Sequence, residues 1–437
     1  MNEKKYKQIS QQVLPYQVLF FLAVTLYLFA PSRVGDDGWF ISMFLTYYEG
    51  NLLEFLKFRY ETWSTRLLLE AYTLLLIYVP VLYSISMPLW LTAIAAGFYR
   101  LLDRKELSVK WLIGGSLLLL PVSFNADAGY ACSTVNYVFA FGCLLWAVVP
   151  IVECQRGKHV PVPAYIGSCI LMVLGCNMEY YCPPFLIYGI YLLIRGIKLR
   201  KGRIFSVLVV LFAIGGLIYA FSAPASTVSA YNETNSNFLG YELLTTLDKL
   251  QVAFVATAGG LVSQGKNGNH FFLPTLLFGI LLLLFGMEKK ASLLSRIVCG
   301  IPLFVILITG GIARFLPEGN VWRVWFFCED SGWKWDSSFT LIVAFLFFGA
   351  IVFGLFRIDK RLGWSGLLAL FCRTTMAASS SVFSSGLRTF YPLFFVLCIS
   401  IAVLVFQIEK KKKPAITIFC IAMVVSYGAN LCYCFYK

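Results

Sequence analysis

Apolar runs of about twenty residues recur from one end of the chain to the other, separated by short polar or basic stretches. A helix of that length matches the hydrocarbon thickness of a bilayer, and no sustained period-two alternation separates the runs. The pattern predicts an all-α polytopic membrane protein. Spans are expected at roughly 15–31, 111–125, 136–153, 164–178, 183–195, 204–222, 271–287, 297–316, 339–357, 362–378, 389–408 and 415–436. One further net crossing is expected within 67–102. That stretch is long enough for two short spans, but two would put Arg100, Arg104 and Lys105 outside. An interfacial helix followed by one span is the preferred reading. The total is about thirteen transmembrane helices.

Composition agrees. The chain is 59% hydrophobic and 13% charged, with a mean hydropathy of +0.76; a soluble domain is roughly half apolar and a quarter charged. Lys4, Lys5 and Lys7 precede the first apolar run, and no small-residue cleavage pattern follows it. This reads as an uncleaved first span rather than a signal peptide. The net charge of +14 comes in short clusters between spans, such as 195–203 and 410–413. That is the distribution of orientation signals, and it argues against nucleic acid as a partner. The N-terminus is expected inside and the C-terminus outside.

With that orientation the acidic and polar clusters fall on the outer face. They are Asp36, Asp37, Glu49, Glu54 and Glu61; Asn125, Asp127 and Asn136; Asn177 and Glu179; and Glu329, Asp330 and Asp336. The inner loops are short, and no Gly-rich phosphate loop is present. The thirteen cysteines show no metal-type spacing, and the two histidines, His159 and His270, exclude a multi-histidine metal site. The chain reads as a single integral-membrane domain without a C-terminal soluble domain. Its first outer loop, about 32–66, is expected to contain interfacial helices. A second long outer segment runs over about 222–270, and its part 241–262 reads as an amphipathic stretch lying on the membrane surface.

Four outer-face signatures occur in order. Asp36 and Asp37 stand between Gly35 and Gly38 after the first span. Trp63 and Arg66 close the same loop. Asn125, Asp127, Tyr130 and Asn136 mark the second, and Asn177, Glu179 and Tyr180 the third. Local readings exist for each. An Asp suits the N-cap of a helix beginning near Trp39. Arg66 and Glu70 are spaced to pair along one helical turn. Arg388 suits an interfacial anchor, and the tryptophans and tyrosines suit an interface belt.

Together these features resemble the GT-C superfamily of integral-membrane glycosyltransferases, in detail the bacterial O-antigen glucosyltransferase type. The likeness covers most of the chain as topology and short patches as motif. It implies a polyprenyl-phosphate sugar as donor. It also implies transfer to an envelope glycan or lipid acceptor, as in lipopolysaccharide modification, on the outer face of a bacterial inner membrane. A donor synthase and a flippase would be partners, beside the bilayer itself. Such chemistry needs a base for the acceptor hydroxyl and cations for the departing phosphate. Asp36 or Asp37 is the candidate base; alternatively the pair would hold a divalent ion, Mg or Mn. Arg66 and Arg388, with Arg373 and Lys266 behind them, are the candidates for phosphate. Asp127, Asn136 and Glu179 would hold sugar hydroxyls, and Trp39, Trp63 or Tyr130 would stack on the ring. The competing readings are a transporter or flippase of lipid-linked sugars, then a polysaccharide polymerase or ligase. Carboxylates gathered at one face, with no repeated halves, favour the enzyme.

Overall fold

A computed structural model describes residues 3–30, 34–125, 129–237, 240–262, 273–288, 291–310, 316–317, 337–382, 385–410 and 414–436. Among the described residues there is no strand. Seven helices among the described residues are long and apolar enough to cross a membrane: Pro80–Leu102, Tyr130–Gln155, Glu179–Leu199, Arg203–Ser222, Ser338–Ile358, Leu387–Glu409 and Ala415–Phe435. The protein is an all-helical, multi-pass membrane protein.

Thirteen spans were expected, and the differences have local causes. The stretch 67–102 holds one span-length helix, as expected: it breaks before Pro80 into Leu67–Tyr78 and Pro80–Leu102, with proline in the first turn of the second helix. Twelve residues reach only about 18 Å, short of the roughly 30 Å hydrocarbon core. The expected span 111–125 is a helix only as far as Leu117 and continues in turns. The expected span 362–378 corresponds to Lys360–Thr374, which carries Lys360, Arg361 and Arg373. The first expected span is the apolar end of Glu3–Tyr27, whose beginning is polar. Val162–Cys176, Leu273–Gly286 and Leu293–Thr309 are apolar but shorter than the seven.

In chain order the helices are α1 Glu3–Tyr27, α2 Asp36–Thr46, α3 Leu52–Thr62, α4 Leu67–Tyr78, α5 Pro80–Leu102 and α6 Leu107–Leu117. Then come α7 Tyr130–Gln155, α8 Val162–Cys176, α9 Cys182–Leu199, α10 Arg203–Ser222, α11 Pro224–Asn237 and α12 Thr246–Val262. The last are α13 Leu273–Gly286, α14 Leu293–Gly310, α15 Ser338–Ile358, α16 Lys360–Thr374, α17 Tyr391–Glu409 and α18 Ala415–Tyr436. Contacts divide the chain into two units. The first comprises Met1–Gly114, Val122–Glu233 and Asn430–Lys437; the second comprises Gly115–Pro121 and Thr234–Ala429.

In the first unit α5 packs on α1 and α7, α7 on α8, and α9 on α10. The three short helices α2, α3 and α4 form a cluster of their own, with α2 and α4 against the start of α7. Helices of eleven or twelve residues are marginal alone, so tertiary packing must hold them. Phe55 of α3 is fully buried, and the rings of Phe40, Phe44 and Tyr48 stand edge-on to it at 5.7, 5.9 and 5.6 Å. Edge-to-face contacts of this kind favour one arrangement of the rings.

In the second unit α17 is buried along almost its whole length and touches α13, α15 and α16. A helix apolar on every side belongs at the centre of a bundle. The stretch 241–262, expected on a surface, is largely exposed only over 242–250. From Val252 onward α12 is buried, packed on α15 and α16. The small residues Ala253, Ala256, Ala258, Gly259 and Gly260 permit this close approach. A Cβ on Gly260 would overlap Cζ of Phe390. Gly260→Ala is therefore expected to cost about 1–3 kcal/mol. Gly349→Ala, where a Cβ meets open space, should stay within about 0.5 kcal/mol of wild type. Thermal unfolding in detergent compares the two; equal stability would contradict the packing.

Candidate functional site

The two adjacent acids take different roles because successive positions on a helix point about 100° apart. Helix α2 starts at Asp36, after Gly35, and no side chain caps it. Its buried face is Asp37, Phe40 and Ile41, the helical repeat of one side. Asp37 is 2% exposed, while Asp36 is exposed.

Asp37 does cap a helix, but a distant one. Its Oδ2 accepts the N–H of Ala131 at 2.8 Å and its Oδ1 that of Cys132 at 2.9 Å. These amides lie in the first turn of α7, where backbone donors have no partner within the helix. A carboxylate there also opposes the positive end of the helix dipole. Gly129, just before the helix, has φ 102°, and a Cβ on it would stand 2.5 Å from Asp37 Oδ1. Glycine alone permits both the backbone angle and the approach. Burial pushes the Asp37 carboxyl above its usual range. The two backbone N–H bonds and a Cys132 side-chain bond pull it back, and the neighbouring Asp36 pushes it up further.

Arg59 and Glu70 form a second link. Arg59 Nε meets Glu70 Oε2 at 2.8 Å and Nη2 meets Oε1 at 2.9 Å, with both residues buried. The guanidinium lies 5.2 Å from the Trp39 ring centre and 4.8 Å from that of Phe40. One side chain of α3 thus binds α2 through rings and α4 through charge. The candidates read from the sequence did not include Arg59. Its spacing of four from Phe55 places it on the buried face of α3, and that was the available signal.

Arg66 does not pair with Glu70. Its Nη2 meets Glu179 Oε1 at 3.0 Å and its Nε lies 3.1 and 3.2 Å from the two Glu179 oxygens. Burial works against the arginine's charge, but Glu179, with Tyr137, Glu70 and Glu233 behind it, holds the guanidinium more firmly protonated than usual. Asn177 Oδ1 accepts the N–H of Leu68 and of Leu69, at 3.0 and 3.3 Å, and so caps α4. The loop-closing signature at 63–66 and the signature at 177–180 therefore meet.

Asn136 sits in a π-helical turn, Thr134–Phe139, within α7. Its Oδ1 is buried and has no hydrogen-bond partner among the described residues. In the same turn the carbonyl of Tyr137 accepts the hydroxyl of Tyr181 at 2.7 Å. Such turns concentrate at functional sites. Trp39 and Trp63 are exposed, whereas Tyr130 is 2% exposed and cannot present its ring to a ligand.

The remaining candidates lie elsewhere. Arg373 and Arg388 belong to the second unit. There Arg373 is buried, donates to the carbonyl of Val382 at 2.8 Å and stacks over Phe390 at 4.6 Å, so it supports its own turn. Arg388 is half-buried in that turn. Asp127 and Lys266 lie outside the described residues. As for a divalent ion, Asp37 turns both oxygens to backbone N–H groups. Among the described residues no three Asp, Glu, His or Cys side chains gather to hold a metal. The pair does not fit a two-carboxylate metal site.

No family model, curated protein or solved structure matches the chain.

Asp37→Asn keeps one acceptor but sets an NH2 donor against a backbone N–H. A loss of about 1–3 kcal/mol is expected, whereas Asp36→Asn should stay within about 0.5 kcal/mol. The pH dependence has a definite sign. The folded pKa of Asp37 lies above 3.8, so its titration adds stability that is complete below the unfolded pKa and lost as pH rises through the folded one. The thermal-stability gap between wild type and Asp37→Asn should widen on going from neutral pH to about pH 4. A gap that narrows would contradict it.

Proposed function

We propose that this protein is a membrane glycosyltransferase. It moves a sugar from a polyprenyl-phosphate donor to an envelope glycan or lipid acceptor on the extracytoplasmic face of a bacterial inner membrane. The proposed topology is GT-C-like, with an inside N-terminus and about thirteen crossings, the shorter apolar helices included. The observation that carries the reading is the joining, two by two within the first unit, of the four signatures read from the sequence. Asp37 binds Ala131 and Cys132, and Arg66 and Asn177 bind across the third loop and the first. An exposed Asp36 stands on the same helical turn as the buried Asp37.

Within this proposal Asp36 is the general base for the acceptor hydroxyl and Asp37 fixes its position. Glu179 holds Arg66 through Nε and Nη2, leaving Nη1 as a donor for a donor-phosphate oxygen. Asn136 Oδ1, buried and without a hydrogen-bond partner among the described residues, is the proposed acceptor for a sugar hydroxyl.

The test is transfer from labelled polyprenyl-phosphate sugars in membranes, at matched levels of folded protein. Wild type should transfer, and Asp36→Asn should lose about 100-fold or more. Equal transfer by Asp36→Asn would remove that residue from the chemistry. Movement of the lipid carrier by wild type without sugar transfer would indicate a flippase instead.

A further inference from the structure

The turn between α9 and α10 carries a concentration of positive charge that the protein does not neutralise. Lys198, Arg200, Lys201 and Arg203 are all exposed, and among the described residues none has a carboxylate partner. The adjacent cations behave differently. Arg100 pairs with Glu153, Arg156 with Asp103, and Lys158 with both acids, at 3.6–3.9 Å. Lys201 also reaches toward that neighbouring turn: its Nζ would lie 3.2 Å from a Cβ on Gly157.

The location restricts what can neutralise the turn. Both flanking helices are membrane spans, and only 28% and 22% of their span residues are buried in the protein. They therefore face lipid. Ile194, Ile197, Leu199 and Ile204 are exposed apolar residues next to the cations. Three residues, 200–202, join the spans, so the side chains cannot leave the membrane surface. An orientation signal needs only charge on the right side. Arg200 goes beyond that need, because it occupies the left-handed position with φ 56°, which glycine takes at lower cost.

We propose that this turn is a binding site for the phosphate headgroup of an anionic phospholipid, with the acyl chains along the exposed faces of α9 and α10. Juxtamembrane cations bind such headgroups additively. The site is independent of the transferase reading.

The experiment uses the purified full chain in nanodiscs of phosphatidylcholine with and without phosphatidylglycerol, with retained lipid read by native mass spectrometry and thermal stability alongside. Wild type should retain phosphatidylglycerol in preference to phosphatidylcholine and be stabilised by it, less so at high salt. Arg200→Gly should be at least as stable as wild type in phosphatidylcholine alone, yet retain phosphatidylglycerol about fivefold less. Lys201→Gln should show the same loss. Equal retention of both lipids by wild type would overturn the site, as would unchanged preference in both variants. Stabilisation by inorganic phosphate equal to that by phosphatidylglycerol would show a soluble anion as occupant and also overturn it.

Discussion

A carboxylate buried against the start of a membrane helix is the constraint on which the first unit depends. Asp37 is nearly inaccessible, and a buried carboxylate is costly unless its oxygens are satisfied. The amides of Ala131 and Cys132 satisfy them, and those amides in turn lack partners within their own helix. Each need answers the other, across 94 and 95 residues of sequence. The bond fixes where α2 sits on α7. With α2 placed, Asp36 must face away from that contact, because adjacent helical positions point in different directions.

The buried pair of Arg59 and Glu70 extends this constraint to α3 and α4. Removing two charges from water is expensive, and such a pair is weak evidence for stability by itself. Its effect here is positional. A bidentate guanidinium between two rings and a carboxylate admits few alternative geometries. Helices α2, α3 and α4 are too short to be stable alone. The ring cluster around Phe55 supplies apolar burial and orients its own rings, and the ion pair adds a fixed geometry between the charged groups.

The sequence made the broad class legible and the site only in part. Apolar run length is a local property, so the long apolar helices could be read directly, although it does not reveal where a helix stops inside a run, as at Leu117 and Thr374. That Asp36-Asp37, Arg66, Asn177 and Glu179 are polar positions between apolar runs was readable directly. Their partners were not. Spacing rules see only residues three or four apart, so Arg66 and Glu70 looked like a pair. The folded chain instead gives Glu70 to Arg59, which faces the core of its helix, and gives Arg66 to Glu179, 113 residues away. The cap at Asp37 was equally invisible, since an Asp at the start of a helix suggests a cap for that helix.

The pairing of Arg66 changes what that residue can contribute. An arginine held by a glutamate is a neutral unit at long range, so it attracts a phosphate less than a lone cation would. It remains a well-oriented hydrogen-bond donor, because two of its nitrogens are already fixed and little rotamer freedom is left to lose. Under the transferase proposal the first unit is therefore better suited to orienting a substrate than to drawing one in by charge. Orientation of that kind is effective in catalysis, since pre-paid order lowers the barrier without tightening ground-state binding. On the same proposal Glu179 would act by holding the Arg66 donor in position, while Asp36, exposed on α2, would supply the carboxylate for proton transfer.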